Sequence, residues 1–313
     1  MEPCGGVPAR DLWSSGDWVF CLASWQRSLR PLHSARASPR RSRRAPRSSR
    51  QVGGTTVTGY ANPDHIAGNH EILAYATQAL ATYNDLFGPY PYTELDVVEV
   101  PSTVGFEFPE LVLIGSQFFD DPAHAGSRVG VVELLVAHEV AHQWWYGLVG
   151  NNHHQHAFLD EGLAEYASFL YFEREHGTEA AEWHVNRGLR LHYATMVLTQ
   201  GDQIVDQPSN AFPDEGTYVA TVYWKAALGF AALREEVGDD AFFAGLHDYA
   251  ARERFQIAGP PDLLGAFERA AGGQLEVFWR SWFERAEGRV SIVVVSGSAT
   301  PGGPSPVRAT PLT

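Results

Sequence analysis

The sequence contains very little cysteine or lysine. Only Cys4 and Cys21 are cysteines, and Lys225 is the only lysine among 313 residues. Because both cysteines lie near the N-terminus, no disulfide framework holds the fold together and no cysteine-based zinc site is available. No apolar run approaches the roughly 20 residues that a transmembrane helix needs. Any metal site in this protein must therefore use histidines and carboxylates.

Charge is distributed unevenly along the chain. Residues 1–50 carry a net charge of +7 and the remainder carries −21, within a formal total of −14. The strong negative charge of residues 51–313 argues against a nucleic-acid-binding surface there. The hydrophobic fraction of 44% and the aromatic fraction of 12% are those of a globular protein. The length is enough for one large or two ordinary domains.

The two ends of the sequence have the composition of unfolded segments. Residues 1–55 are rich in arginine, serine and proline, and we predict a disordered leader or an ill-chosen translation start. An interaction tail or a targeting arm is the less favoured alternative. The apolar patch Trp18–Trp25 lacks a preceding basic region and makes a poor signal peptide, so no compartment is predicted. Residues 288–313, rich in glycine, proline and serine, are predicted to be a disordered tail.

Between these ends, the pattern of apolar residues predicts a mainly helical α+β fold. Strands are expected at 95–100 and 111–114, where β-branched and other apolar residues are concentrated. We divide the region into a core at 56–200 and a helical part at 201–287. Helices are expected where apolar residues recur with helical periodicity, at 69–87, 128–146, 160–176, 179–199, 217–237, 239–253, 261–271 and 274–286.

The most informative stretch runs from His138 to His142 and has the form H-E-x-x-H. Two histidines four residues apart lie on the same face of a helix, where their imidazoles can bind one metal ion, usually zinc. Glu139 lies one step round the helix and can reach a metal-bound water without occupying a coordination position. The flanking residues are apolar nearly all round, which predicts a buried helix. Polar side chains on such a helix would be costly without a partner.

A catalytic zinc site needs three protein ligands and one open position. Glu161 follows His142 after eighteen intervening residues, at the start of the next predicted helix. Two packed helices joined by such a loop can bring this carboxylate to the metal and complete a His, His, Glu set. The loop also carries three histidines, for which a solvated loop is favoured over a second metal site: His153, His154 and His156.

These residues resemble the zinc signature of the gluzincin aminopeptidases, the family of aminopeptidase N and leukotriene hydrolase. The resemblance runs from about residue 57 to 287 and implies a thermolysin-like zinc metallopeptidase catalytic domain with a helical C-terminal part. Four further stretches carry it: Gly88-Pro-Tyr-Pro-Tyr, Gly105-Phe106-Glu107-Phe108-Pro109 in place of G-x-M-E-N, His142-Gln-Trp-Trp, and Tyr223-Trp224-Lys225-Ala226-Ala227 in place of Y-x-K-G-A.

The resemblance implies a role for each matching residue. One zinc ion per chain would be bound by His138, His142 and Glu161, with Glu139 as the general base. Glu165, one turn after Glu161, is expected either to orient a histidine ligand or to lie in solvent. The residues that would contact the substrate are Tyr223, which would stabilise the tetrahedral oxyanion, and Glu107 with the adjacent Gly105, which would bind the free α-amine.

The implied function is removal of N-terminal residues from peptides by attack of a zinc-bound water. An endopeptidase or an epoxide hydrolase on the same site is an alternative, and so is a non-catalytic zinc-containing scaffold fragment. Peptides with a free N-terminus are the expected partners, and nucleic acid is not. Neither the oligomeric state nor the preferred N-terminal residue is predicted.

The chain departs from the family pattern at three residues and in its domain organisation. Phe106 and Phe108 stand where methionine and asparagine or tyrosine are usual, and Asp160 replaces the commoner asparagine. The family also carries a large β-rich domain before the catalytic one, whereas here a low-complexity segment precedes it. We therefore expect the chain to be a fragment or a mis-started reading of a longer gene.

Overall fold

A computed structural model describes residues 47–120 and 129–287. A five-stranded sheet in the order β1-β2-β3-β5-β4 lies in its first half, and β6 and β7 form a separate two-residue pairing. β1 and β4 are the two edges and run antiparallel to their neighbours, whereas β2, β3 and β5 are parallel. The strands are β1 (Arg47–Val52), β2 (Thr55–Tyr60), β3 (Glu94–Val100), β4 (Gly105–Phe108), β5 (Leu111–Gly115), β6 (Gly150–Asn151) and β7 (Ile257–Ala258).

The predicted boundary of the leader at residue 55 is wrong, because strand β1 begins at Arg47. β1 and β2 are joined by the turn Gly53-Gly54, with Val52 opposite Thr55. Gly53 has a φ of 54°, and Gly-Gly is one of the pairs that favour such two-residue hairpins. Most side chains of β1 are exposed, so the strand shows no apolar alternation. The remainder of the predicted leader, residues 1–46, and the predicted tail at 288–313 lie outside the described residues.

Helices make up most of the fold, as predicted. The segment that carries H-E-x-x-H is helical from Val129 to Ala141, so the helix ends before the predicted residue 146. The helices are α1 (Ile66–Phe87), α2 (Val129–Ala141), α3 (His153–His156), α4 (Glu161–His176), α5 (Thr178–His184), α6 (Leu191–Gln200), α7 (Glu215–Val219), α8 (Ala226–Val237), α9 (Asp239–Arg252), α10 (Pro260–Ala271) and α11 (Glu276–Phe283).

Two of the predicted long helices are interrupted by π-helical turns. Val185–Arg190 separates α5 from α6, and Ala220–Lys225 separates α7 from α8. The prediction of unbroken helices at 179–199 and 217–237 is wrong in this respect. A π-turn contains one extra residue, which rotates the following side chains about the helix axis, and such turns are frequent at functional sites. The second of them carries Tyr223.

Aromatic packing fixes the turn that follows α2 on α1. The ring of Tyr83 lies 5.8 Å from that of Trp144, and the ring of Phe87 lies 4.8 Å from that of Trp145. The Tyr83 hydroxyl donates to the Ala137 carbonyl at 3.0 Å. Since full burial of a large apolar side chain contributes roughly 1.5–3 kcal/mol, this cluster holds α2 firmly. The end of α2 that carries the metal motif is therefore held against α1.

Buried side chains from Val57 to Phe283 belong to one continuous hydrophobic cluster. The core therefore extends across residue 200, and a boundary between a catalytic core at 56–200 and a helical part at 201–287 stays a prediction. Among the helices that the structure describes, none combines the length and the apolar character that crossing a bilayer requires.

Candidate active site

His138 near the end of α2 and His142, one residue beyond its last residue, lie side by side with their rings nearly perpendicular, at an interplanar angle of 80°. Their Nε2 atoms lie 3.1 Å apart, and both side chains are buried. The other ring nitrogen of each histidine has an acceptor nearby. His142 Nδ1 lies 3.0 Å from the Trp145 carbonyl, and His138 Nδ1 lies 3.2 Å from Glu165 Oε2. Such contacts select the tautomer that leaves Nε2 free to bind a metal. Glu165 thus occupies the orienting position rather than the solvated one.

Glu161, the first residue of α4, completes the cluster. Its Oε2 lies 3.3 Å from Nε2 of both histidines. Burial disfavours the charged carboxylate, but its hydrogen bonds with His138 and His142 outweigh burial and hold the pKa of Glu161 well below its usual value. Two imidazole nitrogens and one carboxylate oxygen converging within 4.8 Å of one another fit a zinc ion in chemical type.

Glu139 is buried beside this cluster, with 3% of its surface exposed. Its Oε2 atom has no hydrogen-bond partner among the described residues. Burial, together with the nearby carboxylate of Glu107, raises the pKa of Glu139 to about 8 despite the opposing effect of His138. A bound divalent cation would lower this pKa. With the cation bound, the carboxylate would be ionised near neutral pH, which is the state that can accept a proton.

Strand β4 forms the wall opposite Glu139. Gly105 and Glu107 lie on one face of the strand, whereas Phe106 and Phe108 lie on the other. Oxygens of Glu107 and Glu139 and a nitrogen of His142 lie within 4.8 Å of one another. Burial raises the pKa of the Glu107 carboxyl, which His142 opposes. The unusual residues Phe106 and Phe108 therefore lie on the face of β4 away from the carboxylate.

Gln143 ties β4 to the segment that follows α2, and only its place in His142-Gln-Trp-Trp pointed to it beforehand. Its Nε2 donates to the Phe108 carbonyl at 2.9 Å, and its Oε1 accepts from the Glu110 backbone N–H at 2.9 Å. The neighbouring Trp144 donates to the Gly88 carbonyl at 3.0 Å. The motif residues that follow the second histidine thus hold the walls of the cleft.

Tyr223 approaches from the π-turn Ala220–Lys225. Its ring stacks on that of His138, with a centroid distance of 5.9 Å and an interplanar angle of 16°. Burial and the Glu161 carboxylate raise the pKa of Tyr223 well above its usual value, so the phenol keeps its proton. Sequence reasoning missed a second tyrosine in this cleft, Tyr218, whose hydroxyl is buried without a hydrogen-bond partner among the described residues. Its position on the same helical segment, five residues before Tyr223, was the available signal.

The histidine-rich loop is more ordered than the predicted solvated loop. His153 Nδ1 lies 2.6 Å from Asp160 Oδ2, and His156 Nδ1 lies 2.5 Å from Asp206 Oδ1, whereas His154 is exposed. Burial opposes the charged imidazole, but the hydrogen bond and charge of Asp160 raise the pKa of His153 to about 9. Asp160 Oδ1 also accepts from the Glu161 backbone N–H at 2.8 Å. His153 therefore neutralises the aspartate that replaces the usual asparagine.

Replacing Gly105 by alanine should lower kcat by about 10- to 100-fold while leaving zinc bound, since small misplacements of catalytic groups carry penalties of this order. A Cβ at this position would lie 2.2 Å from Glu139 Oε1, so the Glu139 side chain would have to move. Steady-state kinetics and metal analysis of Gly105→Ala test this expectation. A matched control is Gly54→Ala, where an added Cβ meets nothing within 4 Å. Unchanged kcat in Gly105→Ala would show that Glu139 has room to shift without loss.

Comparison with known proteins agrees with this arrangement. The peptidase family M1 domain matches residues 72–282. Aminopeptidase M1-A of Oryza sativa subsp. japonica is 25% identical over 238 residues, covering 73% of this chain and 27% of that protein. Aminopeptidase N of Lactococcus lactis subsp. lactis is 30% identical over 177 residues, covering 53% of this chain and 20% of that protein. The chain thus spans about a quarter of the length of the rice relative.

The fold is also similar to that of a solved structure. A crystal structure of an M1 zinc metallopeptidase variant from Deinococcus radiodurans matches with a TM-score of 0.57 and 22% identity, covering 84% of this chain and 54% of that one. This likeness confirms the predicted mainly helical, thermolysin-like fold. The resemblance to the gluzincin aminopeptidases is confirmed by the family match, which spans more than half of the chain. The chain belongs to peptidase family M1.

Proposed function

We propose that this protein is a zinc-dependent aminopeptidase that removes N-terminal residues from peptides. The observation that carries this proposal is the convergence of His138, His142 and Glu161, with the carboxylates of Glu139 and Glu107 directly beside them. Membership of family M1 and the aminopeptidase names of its relatives support it.

One zinc ion per chain is held by His138, His142 and Glu161 in this proposal. When bound, zinc supplies Lewis-acid chemistry, polarising the scissile carbonyl and making water a better nucleophile at neutral pH. The buried carboxylate of Glu139 takes the proton of the attacking water and later delivers it to the leaving amine. The phenol of Tyr223, which keeps its proton, donates a hydrogen bond to the oxygen on which negative charge develops.

Glu107 accounts for the restriction to free N-termini. A half-buried carboxylate on the strand that faces the metal ligands pairs with the ammonium group of the substrate. A blocked N-terminus leaves that carboxylate without a cationic partner, which is unfavourable in a buried site. The same carboxylate argues against an endopeptidase and a scaffold, since neither needs an amine anchor at this place.

The proposal is tested by comparing amino-acid p-nitroanilides with their N-acetylated forms. We expect the zinc-loaded protein to cleave only the free-amine substrates and to lose activity when a chelator removes the metal. Glu107→Gln should lower kcat/KM for the free-amine substrates by about 10- to 100-fold, the value of a charge-assisted hydrogen bond. Glu110→Gln, a change of an exposed acid just beyond β4, is the matched control and should have little effect. Equal cleavage of free and acetylated substrates would contradict the assignment of Glu107.

A further inference from the structure

Lys225, the only lysine of the chain, lies at the end of the π-turn that carries Tyr223. Its side chain is only 2% exposed. Lysine is one of the residues least often buried, so its position requires an explanation. Every other basic residue of the chain is an arginine or a histidine. This position therefore calls for a compact ammonium group rather than for positive charge alone.

The ammonium group of Lys225 is saturated with acceptors. Nζ donates to Asp202 Oδ2 at 2.9 Å, to the Gln203 carbonyl at 2.6 Å and to the Arg285 carbonyl at 3.0 Å. An ammonium has three donors, and each finds one acceptor here. The acceptors come from two distant segments, the loop after α6 and the residues after α11. Lys225 thus joins the π-turn to two separate parts of the fold.

Asp202 is itself held in place. Its Oδ1 accepts from the Tyr193 hydroxyl at 2.7 Å and from the Gln203 backbone N–H at 2.8 Å. Its side chain is 6% exposed, so the ion pair with Lys225 is largely removed from water. Because Tyr193 belongs to α6, the aspartate is fixed to that helix.

A buried ion pair of this kind is a weak source of stability, since apolar replacements of similar volume are often neutral or stabilising. Its effect lies in geometry. Residues two apart on a helix point to nearly opposite sides, so Lys225 is anchored away from the metal ligands while Tyr223 stacks on His138. The lysine is therefore a fixed point close to the tyrosine.

We infer that Lys225 is a positioning residue, which sets the orientation of the Tyr223 phenol by anchoring the π-turn to Asp202 and to the chain after α11. The inference rests on the proposed function, because it assigns Tyr223 the role of oxyanion donor. Lys225 contacts no substrate in this arrangement and acts only through the tyrosine.

Lys225→Met removes the ammonium and keeps an unbranched side chain that is only one atom shorter. We expect kcat to fall by about 10- to 100-fold, because a misplaced donor loses most of its effect. KM and zinc content should stay close to those of the parent protein, since no ligand or substrate contact is removed. Arg234→Met on α8 is the matched control, which breaks contacts of 2.6 Å to Glu173 and 2.7 Å to Asp239. It should lower Tm without lowering kcat.

A double-mutant cycle separates positioning from general damage. If Lys225 acts through Tyr223, adding Lys225→Met to Tyr223→Phe should lower kcat no further, because coupled residues are not additive. If the double variant instead loses kcat by the product of the two single losses, the inference is overturned. Should Lys225→Met fail to fold, Lys225→Met with Asp202→Asn removes both charges and keeps the acceptor for Tyr193, and the cycle is repeated with that pair.

An NMR measurement that does not depend on turnover distinguishes the positioning role of Lys225 from the aminopeptidase proposal. With 3-fluorotyrosine incorporated, the ¹⁹F NMR signal of Tyr223 is identified by its loss in Tyr223→Phe. We expect this signal to move in Lys225→Met and to stay in Arg234→Met. An unmoved signal overturns the positioning role whatever the activity. A moved signal in a protein that cleaves no anilide supports the anchor and overturns the aminopeptidase proposal instead.

Discussion

Glu139→Gln should lower kcat by about 10²–10⁴-fold, the usual contribution of a general acid–base group, while zinc content stays unchanged. Glutamine has nearly the same shape but cannot accept the proton of the attacking water. Glu139 is also not one of the three converging metal donors, so its loss should leave the ion bound. Steady-state kinetics with metal analysis measures both quantities. In the parent protein, the rate should fall at low pH because protonation of Glu139 removes the base. The residual activity of Glu139→Gln should not show this fall.

Glu133→Gln on the same helix is the control for this prediction. Glu133 is 2% exposed and accepts hydrogen bonds from the Tyr171 hydroxyl and His176 Nε2, both at 2.8 Å. Loss of its charge should affect stability rather than turnover, because it lies outside the clustered donor groups. Parent-like kcat in Glu139→Gln would rule out this carboxylate as the base.

Tyr223→Phe should lower kcat by about 10²–10³-fold, as removal of one oxyanion donor does in other hydrolases. The substitution removes only the hydroxyl, so the ring should still stack on His138 and substrate affinity should change little. KM and the affinity for a ground-state analogue measure the second expectation. The fall in kcat should match the loss of affinity for a phosphinic transition-state analogue.

Tyr218→Phe is the matched variant for this comparison. Tyr218 lies in the same cleft, and its ring is 6.2 Å from that of Tyr223. Because Tyr223 rather than Tyr218 stacks on a metal-binding histidine, we expect Tyr218→Phe to lower kcat by less than about tenfold. A larger loss in Tyr218→Phe than in Tyr223→Phe would transfer the donor role to Tyr218.

The metal cluster was the part most readily predicted, because helical spacing alone places His138 and His142 on one face. Glu161 followed from its position at the start of the next helix. The π-turn around Tyr223 could not be predicted in this way, since the α-helical segments on either side keep their own periodicity. The resemblance supplied the tyrosine, but the bend that presents it is visible only in the structure.

Features that depend on backbone contacts, or on pairing between residues distant in the chain, could not be predicted from the sequence either. β1 has exposed side chains, so its pairing with β2 left no apolar pattern. His153 and Asp160 are seven residues apart, and nothing in the sequence shows that a charged imidazole neutralises the substituted aspartate. The links of Lys225 reach residues 202, 203 and 285, which only the packed chain brings together.

The short polar links through Gln143 have a consequence for the products of the proposed reaction. They join the strand bearing Glu107 to the segment bearing His138 and His142. The distance between the amine anchor and the point of cleavage therefore stays constant. Because this distance is constant, a single residue is released at every cycle, whatever the length of the peptide that follows. The enzyme would therefore shorten a peptide stepwise and yield free amino acids in the order of its sequence.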